Sequence, residues 1–333
     1  MKKLMVTASP HVKSGDTVTG IMLDVIIALI PALIAAIRIF GPRALLVVVV
    51  SVASCVLTEY ISRKIMKREN TIGDLSAVVT GILLAYNLPA NIPLWMVVFG
   101  AVAAIAVVKQ MFGGLGQNFV NPAITGRIVL LVSFSTAMTT FPAPLAWTGS
   151  TDALTTATPL AALSQIDLSG DIAAQMANAS LPTLPQLFFG FIGGSLGEVC
   201  TVALLIGGLY LWARRVISPA IPLSFIGTVA LIMLIASKGN LTFMLYELMS
   251  GGLILGAVFM ATDYATGPVS RSGKILFGIG CGILTAVIRL FSNLPEGVSY
   301  AIMIMNIVTP LIDKITTPKP FGYVKEKKQK EAA

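Results

Sequence analysis

Apolar stretches of about 17 to 20 residues recur from one end of this chain to the other, the length a helix needs to cross a ~30 Å hydrocarbon layer. Only 11% of the 333 residues are charged and 56% are apolar, whereas a soluble domain carries roughly 25% charged residues. The bilayer must therefore be the solvent for most of the sequence. Lipid offers no partner for a backbone N–H or C=O, so the spanning segments close their hydrogen bonds internally as helices. The fold class that follows is an all-α polytopic membrane protein. Apolar runs against polar punctuation give about ten transmembrane helices, at 21–37, 44–60, 75–86, 92–108, 123–134, 187–212, 217–235, 243–260, 275–288 and 300–312.

Charge sets the expected orientation. With the N-terminus inside, the cytoplasmic segments hold 19 of the 23 Lys and Arg residues, Arg127 and the tail lysines from Lys314 to Lys330 among them. The outside keeps Arg38, Arg43, Lys238 and Arg289. Positive charge retained inside is the usual rule for short loops. The stretch 135–186 has no Lys or Arg and a net charge of −3, while the rest sums to +11, so it belongs outside. A connection this long between short-looped helices is functional or disordered. The net charge of +8 does not form a patch, which argues against nucleic acid as a partner.

Around Phe99 and again around Phe277 the chain shows a Phe-Gly helix start, a basic residue at the far end, a Gly- or Pro-bearing loop and then an Asn with a nearby Pro. Five spans per half would insert the second half upside down, giving two five-helix inverted repeats. The organisation expected is thus a cytoplasmic segment 1–20, a first repeat 21–134, an extracytoplasmic loop 135–186, a second repeat 187–312 and a basic cytoplasmic tail 313–333. The fifth and tenth spans have only about 12 or 13 apolar residues, too few to cross alone. Short segments at matching places in two halves point to a site near the midplane.

The parts for several chemistries are missing. Cys55, Cys200 and Cys281 are scattered and His11 is the single histidine, so no metal centre and no Ser-His-Asp triad is expected. The opening residues are too polar for the core of a cleaved signal peptide, and the first helix is expected to be retained. Gly113, Gly114 and Gly116 permit positive φ and close backbone approach. Following an apolar helix, they do not form the dinucleotide fingerprint of a βαβ unit. They suit either a tight re-entry between helices or a flavin or ion path, with Asn118 and Asn121 offering amide contacts. Within the loop, Asp152-Ala-Leu-Thr155-Thr156-Ala157-Thr158-Pro159 is by itself a polar turn, in which Pro159 keeps Thr158 extended.

Several segments together resemble the RnfD/NqrB flavoprotein family: Ser9-Pro10-His11, KQMFGGLGQNFVNPA at 109–123, Gly193-Gly-Ser-Leu-Gly-Glu198, Met260-Ala-Thr-Asp263 and Pro295-Glu-Gly-Val298. The likeness covers nearly the whole chain. It implies that Thr158 carries FMN through a phosphoester added by a separate flavin transferase, with Asp152, Thr155 and Ala157 completing the recognised motif. Thr156 stands where the commonest form has Gly. A shorter N-terminal part places the sequence nearer the RnfD branch than NqrB. The resemblance further implies a cell inner membrane location, other Rnf subunits as partners, including an extracytoplasmic flavin subunit, and a second, non-covalent flavin such as riboflavin. The activity implied is electron transfer within an ion-translocating ferredoxin:NAD(+) oxidoreductase, coupled to Na(+) or H(+) movement, with no catalytic residue on this chain.

Ionisable residues inside spans cost a few kcal/mol if they face lipid. Asp24, Glu198 and Glu247 are candidates for an ion path or for pairing with a basic residue of another subunit, while Glu59 has Arg63 four residues on for an ordinary helical pair. The rival from another class is a solute channel of urea- or ammonium-transporter outline, which has no use for the Thr158 motif. A third alternative is a scaffold whose cofactor is vestigial.

Overall fold

The computed structural model describes residues 15–148, 155–168, 170–179, 181–292 and 296–318. Helices dominate, and each of the ten apolar runs contains a helical segment. In the first half these are α1 (Val18–Phe40), α2 (Pro42–Ile65), α3 (Ser76–Tyr86), α4 (Leu94–Val102, continued as a π-helix over Ala103–Gln110) and α5 (Pro122–Ser133). The long connection carries the short helices α6 (Ser135–Thr139), α7 (Pro159–Leu163), α8 (Ile172–Asn178) and α9 (Leu184–Phe189). It also holds a two-residue antiparallel pair, β1 (Phe141–Pro142) with β2 (Thr155–Thr156). The second half follows with α10 (Thr201–Ala213), α11 (Ala220–Ala236), α12 (Leu241–Met249), α13 (Leu253–Leu255, continued as a π-helix over Gly256–Met260), α14 (Arg271–Phe291) and α15 (Val298–Thr316).

Four of these, α1, α2, α14 and α15, are long and apolar enough to cross a bilayer alone. The pair α12 and α13 meets that test jointly, bent by 65° at Ser250-Gly251-Gly252. The remaining apolar helices are shorter. α3 has 11 residues, about 16 Å at 1.5 Å per residue, and ends at Asn87 because the following Leu-Pro-Ala-Asn-Ile-Pro cannot continue a helix. From there an irregular stretch runs to Ile92, whose carbonyl accepts from Arg43 Nη2 at 3.3 Å near the start of α2.

Two expectations about the spans need correction. The tenth segment is not short: α15 has 19 residues. The expected run 300–312 already contains the buried Asn306 and Thr309; the helix is longer because it also takes in Val298 and Ser299 at its start and the polar end 313–316, which hydropathy leaves out. The sixth run, 187–212, is conversely not one helix. It divides at Gly190, in a left-handed conformation with φ 94°, and stays irregular until α10. That irregular stretch lies against the unwound end of α3: Leu196 N donates to Leu88 O at 3.0 Å and Gly197 N to Tyr86 O at 2.9 Å. Non-helical backbone inside a membrane protein persists where protein satisfies it, and here two irregular segments from the two halves satisfy each other.

The halves meet where α1 crosses α10, with Gly207 against the backbone of Ala28; a glycine lets helices approach closely when lipid supplies no hydrophobic drive. α5 touches α15. α4 packs on α2 and α5, and α14 packs on α11 and α15, so the two Phe-Gly helices hold corresponding places in their halves. The long connection is fastened to the bundle by Leu145 N on Ile39 O (2.8 Å), by Tyr246 hydroxyl on Pro182 O (2.6 Å) and by the buried Leu160 and Leu163 of α7 beside α12. It therefore covers the C-terminal end of α1, while Arg214 bonds Asp24 near the other end of that helix.

Candidate functional site

Thr158 sits at the start of α7, where Pro159 fixes the first helical residue and excludes α geometry before it. The backbone is extended, with φ −70° and ψ 149°, and the hydroxyl caps the helix by accepting from Ala161 N at 3.2 Å. The side chain is half-buried, and Thr156 and Ala157 before it are exposed. On one side Thr158 opens into a cavity of about 890 Å³, with Gln165, Asn178, Phe191 and Ile192 among its walls. On the other it shares a space of about 260 Å³ with Arg127, Leu131, Met138, Phe141 and Glu296. Thr156, in β2, pairs with Phe141 of β1, and its hydroxyl fills the space beside Gly193 that a Cβ there would need. Asp152 lies outside the described residues, as does the side chain of Thr155.

Beneath Thr158 is a charged cluster that hydropathy alone did not locate. Arg127 was expected among cytoplasmic charges; it is instead inside α5, 4% exposed. Its Nη1 donates to Asn87 Oδ1 (2.7 Å), Glu198 Oε1 (2.8 Å) and Ser299 Oγ (3.1 Å). Its Nη2 pairs with the Glu296 carboxylate. One guanidinium thus joins the unwound end of α3, the irregular stretch before α10 and the start of α15. Glu198 Oε2 and Ser195 Oγ are buried without a hydrogen-bond partner, an expensive condition for a polar atom in the interior. The orientation bias survives the loss of Arg127 from the cytoplasmic set.

The other ionisable candidates find partners within the chain. Glu59 does not pair with Arg63: its Oε2 accepts from Lys109 Nζ at 2.9 Å, and its Oε1 from Thr71 Oγ1 (2.9 Å) and Gln110 Nε2 (3.0 Å). Lys109 also donates to Ser76 Oγ at 2.6 Å. Glu247 accepts from Arg289 Nη1 at 2.9 Å, and Arg289 reaches the carbonyls of Glu247 and Ser250 at the bend after α12. Asp24 accepts from Tyr210 hydroxyl at 2.8 Å and from Arg214. The structure therefore brings Glu198 to Thr158 but leaves Asp24 and Glu247 elsewhere.

Gly113, Gly114 and Gly116 have φ of 128°, 108° and 84°, so the glycine run forms the tight turn its sequence permits. At Gly114 a Cβ would also strike the Arg63 guanidinium. Asn121 caps α5 by accepting from Ala123 N (3.0 Å) and Ile124 N (3.3 Å), while its amide donates to Met260 O at 3.3 Å in the other half. Asn118 donates to Val120 O at 3.2 Å. Both asparagines line a narrow cleft of about 90 Å³ between the halves, with Lys109, Phe259 and Asp263. Each π-helix ends at this cleft, and such insertions are frequent at functional sites.

The model of the NQR2, RnfD, RnfE family matches residues 5–322. Among curated relatives, the D subunit of the Na(+)-translocating ferredoxin:NAD(+) oxidoreductase complex of Acetobacterium woodii is 46% identical over 99% of this chain and 98% of its own length. Its counterpart in the proton-translocating complex of Clostridium ljungdahlii is 43% identical over 95% and 96%. The D subunit of the ion-translocating oxidoreductase complex of Stutzerimonas stutzeri is 39% identical over 92% and 93%.

Proposed function

The chain belongs to the NQR2, RnfD, RnfE family, and from that premise we propose that it is the RnfD-type subunit of an ion-translocating ferredoxin:NAD(+) oxidoreductase complex. It is a multi-pass membrane protein that passes electrons while the complex moves Na(+) or H(+). The names of its relatives divide between those two ions. The electron carrier assigned to this chain is FMN, bound covalently to Thr158.

The observation that carries this assignment is the placement of Thr158 on a rim between two spaces. The larger, about 890 Å³, falls within the roughly 300–1,000 Å³ range of small-molecule sites, with Phe191 and Ile192 as apolar wall and Gln165 and Asn178 as polar groups. The smaller presents Arg127, the cation that suits a phosphate. The residues present thus fit the group. Thr158 would hold it, and Asp152, Thr155 and Ala157 complete the motif read by the transferase. When bound, the flavin supplies the redox chemistry; the protein supplies attachment, orientation and a water-poor setting.

A second, non-covalent flavin such as riboflavin is proposed for the complex, but no residue of this chain is assigned to it. The inner cleft, about 90 Å³, is smaller than ordinary ligand pockets, and Asn121 has both amide atoms engaged. We read the halves as five-helix inverted repeats in the cell inner membrane, with both termini cytoplasmic and 135–186 outside. That orientation presents the Thr158 face to an extracytoplasmic flavin subunit.

The test is covalent loading. A denatured sample co-expressed with a flavin transferase should fluoresce as flavin, and Thr158→Val should abolish the signal. Because no Lys or Arg lies between Arg127 and Arg214, pepsin serves better than trypsin to release the Thr158 peptide for mass spectrometry. An unmodified peptide with and without the transferase would remove the covalent flavin from this chain.

A further inference from the structure

The cluster beneath Thr158 holds more negative charge than its cation neutralises, and this imbalance carries an inference that rests on the flavin reading above. Arg127 faces two carboxylates among the described residues, Glu198 and Glu296. Glu198 is fixed there: it is 4% exposed, with one oxygen on Arg127 and the other unpartnered. Glu296 differs. Its side chain is 20% exposed, and it stands in the irregular residues before α15, outside any helix. Arg127, Glu296 and Thr158 line one space of about 260 Å³.

A guanidinium takes carboxylate and phosphate oxygens with the same planar fork of donors. A phosphodiester on Thr158 carries one negative charge, as a carboxylate does. Were it to enter this space with Glu296 in place, Arg127 would face three anions, and a buried charge without its own partner is strongly destabilising. Exchanging one anion for the other leaves the local charge unchanged. We infer that Glu296 is a place-holding carboxylate: in the unmodified chain it occupies the Arg127 nitrogen that receives the phosphate once Thr158 is modified. Arg127 is then the anchor of the linkage, and Glu296 is a positioning residue that keeps the anchor paired until the exchange.

The experiment compares the full chain, made in membranes with and without the transferase and then extracted in detergent, as wild type and as Glu296→Gln. The substitution should lower the melting midpoint of the unmodified form by about 4 °C and that of the flavinylated form by less than about 1 °C. Equal losses in both forms, or a larger loss in the flavinylated form, would overturn the inference. A second readout does not depend on folding yield: the phosphorus-31 resonance of the flavinylated chain should move in Arg127→Lys, and an unmoved resonance would equally overturn it. If the pepsin peptide carries no flavin mass, the earlier reading fails and this one with it; a loaded chain with equal midpoint losses removes only the place-holder.

Discussion

Lys109 and Arg127 are both buried cations on the first half, yet their surroundings are opposite in character. Around Lys109 the paired charges balance, with Asp263 further along the same cleft. One ammonium meets one carboxylate, both Glu59 oxygens are engaged, and Ser76, Thr71 and Gln110 complete the set. Around Arg127 they do not. Two carboxylates share one guanidinium, Glu198 Oε2 lacks a partner, and a cavity adjoins the cluster. An ion pair whose charged atoms are all engaged holds helices in register, even with Gln110 Oε1 unpartnered beside it and Lys109 on the wall of the inner cleft. An over-charged cluster beside a cavity has free capacity, which is why the second region is read as the site and the first as a clamp.

The contrast is most exposed to disproof at the clamp. Lys109→Met leaves Glu59 buried without its cation, and removing one member of a buried pair costs about 3–5 kcal/mol. The folded, monodisperse fraction in detergent should fall sharply, with much of it restored in the double variant Glu59→Leu, Lys109→Met. A double variant no better than the single one would mean that Glu59 is not what Lys109 neutralises. Gly114→Ala comes next. Its φ of 108° suits glycine alone and the new Cβ would displace Arg63, so a loss of about 1–3 kcal/mol is expected from urea titration in mild detergent. An unchanged midpoint would show that the turn tolerates another backbone geometry.

A smaller effect is expected at the site. Glu198→Gln keeps an acceptor for Arg127 and leaves Glu296 as its charged partner, so the loss should stay within about 1 kcal/mol. A loss comparable to that of Lys109→Met would erase the distinction between the regions. The smallest effect belongs to Asp24→Asn. Arg214 is 60% exposed, and exposed pairs contribute little, so the melting midpoint should not move in either low or high salt.

Much of this architecture is legible in the residues. Each apolar run contains a helix, and the restriction that Pro159 places on Thr158 is visible in its extended backbone and its cap. The departures have a common cause. Asp313 and Lys314 look like the end of a span because hydropathy counts a charged side chain as outside it; α15 continues through them to Thr316. Run 187–212 looks continuous because glycines are nearly silent on a hydropathy scale, although Gly190 turns the chain. Glu59 and Arg63 are four residues apart and look paired; packing gives Glu59 to Lys109, 50 residues away.

Hydropathy and charge bias are sums over neighbouring residues, so the sequence by itself determined that the chain lives in a bilayer, where its helical segments lie and which loop carries no positive charge. Family likeness added the threonine. Only the tertiary structure decided that Arg127 lies under that threonine, held to residues 40, 71 and 172 positions away. The reason is physical: in a medium that solvates no ion, a buried charge takes whichever partner the packing of distant helices delivers, and no local pattern encodes that choice.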